Sequence, residues 1–396
     1  RKSVAHSSPA HALAMPSLLR VLNLTYGYSA TVLGFLSAAL LAVPLALLQP
    51  LRYLGPLPHR VLCCLRDVLV ELAWKPMMVM LWAANIRIHI SRPDSFRFPG
   101  EGGWLPDRHK HHKFVVNANH QNLGDTLLVS YVLNSLNATN GSGMWTIWET
   151  YRRLPLLWAS HLAGHFFLSK RTLKEKIDFS SFQRDHFSHL LLYAEGACRD
   201  ASAQLKAKQY AAQHDMVCPR HTLIPRAGFL HKVLPDLHAA GVRDLVDLTI
   251  AYPPGCEALK SKYSLVEFGA LKSKPYIVHV HIRRLPLMAP GTSLQEVQST
   301  LNEIYKEKDA LLEQVASAGG FQWEEPLAVP ICWWLFQVLI WFRFLHFLID
   351  LLVRAAVSIF EVGWQHSYSS AVALCVLVLS AAWWNRRICE KYLVSL

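Results

Sequence analysis

Asn119-His120 is followed, after four further residues, by Asp125, in the stretch VVNANHQNLGDTLL. The stretch opens as an apolar strand and closes as an apolar helix. On one continuous helix, positions five apart differ by about 500° and face different ways. The histidine and the carboxylate therefore converge only if the chain turns between them, and Gly124 permits that turn. A carboxylate bonded to one imidazole nitrogen fixes the tautomer. The other nitrogen is then left to accept a proton from a hydroxyl. The plainer alternative is that Asp125 caps its helix and His120 is a loop histidine.

Two further groups suit an anionic substrate. HFFLSKRTLKEK (165–176) runs from an apolar strand into Lys170, Arg171, Lys174 and Lys176. Cations at a strand end suit a phosphate or a coenzyme tail. LLLYAEGACRD (190–200) places Glu195-Gly196 just past an apolar run, with Arg199 close behind. A glycine there lets backbone N–H groups come near an anion. Each has an ordinary reading too, as a surface helix start and a strand-to-loop turn. His279 and His281 in YIVHVHI would share one strand face. No third ligand stands at a suitable spacing, so the expectation is no metal.

These residues need a scaffold. Apolar runs at 113–119, 162–169, 189–196, 244–253 and 276–282 read as strands. Residues 125–137 read as a helix with Asp125 at its N-cap, and 293–315 as a charged amphipathic helix. The alternation implies an α/β domain, a mixed β-sheet flanked by helices.

Both ends of the 396-residue chain look different. From Val21 to Leu51 there is no charged residue, and the centre is long enough to cross a bilayer. A second run (68–86) carries Glu71, Lys75 and Pro76, which favours an interfacial position or a hairpin with the first helix. Further apolar runs at 326–342 and 367–385 precede Arg343 and Arg386-Arg387. The expectation is a multi-pass protein: a membrane leader (1–86), a catalytic domain (87–320) and a transmembrane tail (321–396). The net charge of +12, 40 basic against 28 acidic residues, suggests anionic partners. With these apolar runs, that means a lipid bilayer rather than nucleic acid. The basic stretch DRHKHHK (107–113) is either a solvated loop or a headgroup-facing patch. The eight cysteines include no CxxC pair, so they read as structural thiols.

The order of motifs resembles the glycerolipid acyltransferases. It runs from N-H-x4-D, through a strand ending in bases and a strand ending in E-G, to LIPRAGF (223–229). DLTIAYP (247–253) and HVHIRRLP (279–286) are similar to segments of the lysocardiolipin and lysophosphatidylinositol acyltransferase branch. The resemblance implies acyl-CoA as co-substrate, no cofactor, and a lysophospholipid or lysophosphatidate acceptor. His120 would be the general base and Asp125 its orienting carboxylate. Asn119, Lys170 or Arg171, Glu195, Gly196, Arg199 and Pro225 would serve substrate binding. An endoplasmic reticulum membrane is the expected location. The family's third motif is usually F-P-E-G-T/S, whereas this chain has Tyr193-Ala194-Glu195-Gly196-Ala197. That departure leaves a second reading, a catalytically impaired membrane adaptor that keeps the fold. A membrane-linked hydrolase fits less well, because no G-x-S-x-G nucleophile motif is present.

Overall fold

A computed structural model describes residues 45–354 apart from gaps, the longest being 99–112, 150–157, 170–176 and 253–275. One eight-stranded mixed sheet organises it, in the order β4-β3-β5-β2-β6-β7-β1-β8. The strands are β1 (Ile86–Ser91), β2 (Phe114–Ala118), β3 (Gly143–Trp148), β4 (Phe166–Leu168), β5 (His189–Leu192), β6 (Asp244–Ala251), β7 (Tyr276–Pro286) and β8 (Glu324–Pro326). Strands β4, β3, β5, β2 and β6 run parallel. Strand β7 is antiparallel to β6, β1 is parallel to β7, and β8 is antiparallel to β1.

Strand alternation sorts side chains into two apolar layers. Phe114, Val116, Ala118, Leu191, Val246, Leu248 and Ile250 enter one layer with helices α1 (Pro56–Ala83) and α2 (Asp125–Ser135). Val115, Leu190, Leu192 and Leu245 enter the other, against α6 (Gly228–Ala239) and α7 (Leu294–Ala318). Short helices α3 (Trp158–Leu162) and α4 (Ser181–Arg184) and the more exposed α5 (Ala201–Gln213) lie between them in the chain. Burial on both faces explains why β2, β5 and β6 are near-continuous apolar runs. Among the polar exceptions are Asn117 and Asp247, register partners in the sheet centre. Asn117 Nδ2 donates to Asp247 Oδ1 at 2.8 Å, and Lys308 of α7 reaches the same oxygen at 2.8 Å. Arg283 of β7 donates to the other oxygen at 3.1 Å. A buried charge survives only with such partners. Here they fix α7 across the sheet.

Several expectations shift. Strand 162–169 is divided between the end of α3 and β4, with Gly164 at φ +87° making the turn. The amphipathic helix starts one residue later and runs three further, from Leu294 to Ala318. It opens on a Ser293–Glu296 capping box. Asp125 is not the N-cap. Gly124 holds that position, and the Asp125 carboxylate turns back to the preceding loop. Strand β8 pairs with β1, so the sheet extends past residue 320. Helix α1 is 28 residues long but carries Arg66, Asp67, Glu71 and Lys75. Lys75 is buried, with Nζ 2.8 Å from Asn134 Oδ1 and lying over the Trp334 ring. Among the described residues, no helix is long and apolar enough to cross a membrane. Nearly all of the 21–51 run and all of the 367–385 run lie outside the described residues.

Candidate active site

The turn after β2 brings the opening motif together. His120 Nδ1 lies 3.0 Å from Asp125 Oδ2. Asp125 is fully buried at the first turn of α2. Its Oδ2 also accepts the backbone N–H groups of Gln121 and Asn122, and its Oδ1 accepts the Tyr252 hydroxyl. Four donors hold this carboxylate in one orientation. Since it can only accept, Nδ1 of His120 carries the proton and Nε2 is the bare, basic nitrogen. The turn itself is pinned by Asn122, whose Oδ1 accepts the Gly124 N–H at 2.6 Å.

The ring has further walls. Tyr193 stacks on His120 with centroids 4.0 Å apart and 16° between planes. Tyr193 in turn shares a hydrogen bond with Thr126 at 3.1 Å. Burial, with the nearby Asp125 charge, pushes the Tyr193 and Tyr252 hydroxyls well above their ordinary range, so both stay protonated. His120 Nε2 faces Cys198, whose Sγ is 3.1 Å away. The nitrogen that would take a substrate proton is thus in contact with a thiol.

The other expected residues have defined contacts around this turn. Asn119 is fully buried and pairs both amide atoms with the Ile250 backbone, at 2.9 and 2.7 Å. That extends the β2–β6 ladder by one side chain. Glu195 is likewise committed. One oxygen accepts the His120 N–H at 2.7 Å and the other the Leu223 N–H at 3.1 Å. Burial pushes its carboxyl up to about 8, against the pull of those two bonds. It ties the His120 turn to the loop that begins at Leu223. Gly196 adopts φ +68°, which a side chain rarely tolerates, and its carbonyl accepts the Trp148 indole N–H at 2.9 Å. Arg199 donates its backbone N–H to the His120 carbonyl at 2.8 Å and a guanidinium N–H to the Arg220 carbonyl at 2.6 Å. Partial burial lowers its pKa. Pro225 presents its carbonyl to Gln298 of α7 at 2.8 Å. Lys170 and Arg171 lie outside the described residues.

Sequence reasoning missed Tyr193, Cys198, Tyr252 and Arg226. Arg226 is exposed, its side chain passing beside Gly196. All four sit inside segments quoted for other reasons, and only the folded turn shows that they meet.

The described residues therefore form a His–Asp pair with a defined tautomer, walled by aromatic rings, with an exposed arginine beside the adjacent glycine turn. Comparison with known proteins points the same way. The family signature described as "Acyltransferase C-terminus" matches residues 269–341, which include β7, α7 and β8. The chain is 26% identical over 357 residues to 1-acyl-sn-glycerol-3-phosphate acyltransferase 2 of Brassica oleracea, covering 84% of each chain. It is 29% identical over 151 residues to lysophosphatidylinositol acyltransferase 10 of Caenorhabditis elegans, covering 38% of this chain and 37% of the relative. To the 2-acyl-1-lysophosphatidylinositol acyltransferase of Saccharomyces cerevisiae it is 30% identical over 139 residues, or 34% of each. No solved structure matches the chain. Taken with the ordered motifs along the sheet, these similarities support the glycerolipid acyltransferase family.

Proposed function

We propose that this chain moves a fatty acyl group from acyl-CoA to the free hydroxyl of a lysophospholipid or lysophosphatidate. The observation that carries this reading is the His120 Nδ1–Asp125 Oδ2 contact of 3.0 Å, which leaves Nε2 as the base. The acceptor hydroxyl approaches Nε2 in place of the Cys198 thiol and gives up its proton there. Its oxygen attacks the thioester carbonyl, the carbon–sulfur bond breaks, and the departing CoA thiolate takes the proton back from His120. No covalent acyl-enzyme is needed. Arg226 and Arg199, near the Glu195-Gly196 turn, are the described cations best placed for a phosphate, and Lys170 and Arg171 are proposed beside them.

A bilayer surface is the natural place for such acceptors. Helix α1 supports it with exposed Leu57, Val61, Leu65 and Val68. Their spacings of four, four and three residues lay them along one stripe. Exposed Leu335, Phe336, Leu339 and Ile340 add a second apolar surface near the C-terminal end. We propose an endoplasmic reticulum membrane and a multi-pass attachment through the terminal apolar runs. The test is acyl transfer from labelled oleoyl-CoA to a panel of lysolipids by the protein in nanodiscs, beside His120→Ala. Transfer to one or two acceptors that the substitution abolishes supports the reading. Transfer surviving His120→Ala refutes the assigned base.

One observation favours the second reading, an impaired adaptor: Nε2 of His120 already contacts Cys198 Sγ. Folded wild-type protein that transfers to no acceptor would support it.

A further inference from the structure

Of the two β7 histidines, His279 finds partners that the local sequence lacked, and the sheet supplies them from both ends of the chain. His279 is the register partner of His89 on the neighbouring parallel strand β1, so both rings rise from one face. Glu324 of β8 stands opposite Ser91, two residues along that face of β1. Both carboxylate oxygens of Glu324 lie 2.8 Å from His279 Nδ1, and one lies 3.6 Å from His89 Nδ1. One ligand atom from each residue falls within 4.8 Å of the other two. A zinc ion about 2.0–2.1 Å from each ligand spaces them by about 3.3 Å, so 2.8 and 3.6 Å bracket that value.

Hydrogen bonding alone leaves parts of this arrangement unexplained. The 3.6 Å separation is too long for a His89 hydrogen bond, yet both imidazoles converge on one carboxylate. Among the described residues, no lysine or arginine pairs with Glu324, although its side chain is 11% exposed. The carboxylate thus lacks a permanent counter-charge where a dication would supply one. A supporting shell is present as well. The Phe321 N–H donates to Glu324 Oε1 at 2.6 Å, orienting it, and the Phe321 ring meets His279 edge-on. The chain passes so close at Gly320 that an added Cβ would lie 3.1 Å from Glu324 Oε2.

We propose that His89, His279 and Glu324 form a divalent transition-metal site, for Zn2+ first, that clamps β8 and β1 onto β7. Two imidazoles and one carboxylate are a recognised zinc donor set with a fourth position for water. His89, the most exposed of the three, marks the side open to solvent.

The test uses the full chain in nanodiscs, purified without a histidine tag, stripped with chelator and dialysed against Zn2+. Bound zinc is measured by mass spectrometry of the metal, and thermal unfolding is followed with and without Zn2+. Wild type and a surface control, His214→Gln, are expected to hold about one zinc per chain. His89→Gln and Glu324→Gln should lose it. Losing even an orienting outer partner costs about 10–100-fold in affinity, so losing a ligand should cost more. His89 makes no hydrogen bond among the described residues, so His89→Gln should melt with stripped wild type and differ only in failing to rise with zinc. No zinc on wild type, or equal zinc on all four proteins, would overturn the proposal.

Discussion

Asp125→Asn isolates the charge from the geometry of the base. The amide oxygen can take the Oδ2 position, where three N–H groups converge. The new NH2 then faces the Tyr252 hydroxyl, which rotates to accept. The turn should therefore persist, and thermal unfolding should shift by only a few degrees. What disappears is the countercharge for the imidazolium that forms as His120 takes the acceptor proton. Unit charges 3.0 Å apart attract by about 5.5 kcal/mol at an effective dielectric constant of about 20. The amide dipole retains part of this. The expected loss is about 3–5 kcal/mol of transition-state stabilisation, or about 10²–10⁴-fold in rate. The assay is single-turnover acyl transfer at saturating acyl-CoA, which removes product release from the measured rate. A folded Asp125→Asn protein within about tenfold of wild type would refute the assignment of His120 and Asp125 as a charge-balanced base.

Other perturbations reach different parts of the structure. Cys198 contacts the base nitrogen, so alkylating it with N-ethylmaleimide should abolish transfer by occupying the acceptor's position. Cys198→Ala should stay active and become insensitive, and sensitivity persisting in that variant would place the critical thiol elsewhere. Burial raises the Glu195 carboxyl from 4.5 to about 8, so the folded chain keeps a proton that the unfolded chain releases. That contribution to stability is complete below about pH 4.5 and lost as pH rises towards about 8. Glu195→Gln should thus gain in melting temperature relative to wild type across this range, and parallel curves would contradict it. A Cβ on Gly143 would lie 2.3 Å from the ring of buried His189, itself stacked on Phe114. Gly143→Ala should destabilise the fold by about 1–3 kcal/mol in denaturant titration, and an unchanged midpoint would mean that the ring has room to move.

The sequence made the central strands legible because they are buried on both faces and nearly all apolar. Strand β1 was harder. Its IRIHIS pattern alternates, but it adjoins the apolar run at 68–86 and merges with it. Helix α5 has almost no buried face and rests on its composition, with Asp200 capping it through the Ala203 N–H. The His–Asp turn could be read because its parts lie five residues apart. Its surroundings could not. Glu195, Cys198 and Tyr252 contact the motif across 75, 78 and 127 residues. The expectation that Asn119 and Glu195 bind substrate rested on the family resemblance. In the folded turn both side chains engage the backbone, Asn119 at Ile250 and Glu195 at His120 and Leu223.

The pairing of β1 with β7 also sets an order in time. Ile86 opposes Tyr276, and about 190 residues of chain separate the two strands. At about 5–20 residues per second, a ribosome needs about 10–40 s to supply that partner. Throughout that interval β1 exists as a nascent strand with Ile86, Ile88 and Ile90 on one side and two unmatched edges. Helix α1 can shelter the isoleucine face, but neither edge can be paired earlier, because the other neighbour, β8, is synthesised later still. The half of the sheet that contains His120 can close first, from β2, β3, β5 and β6. The outer strands then dock as a late, separate step, and a chain that stalls before residue 276 carries an assembled catalytic turn beside an exposed, aggregation-prone strand.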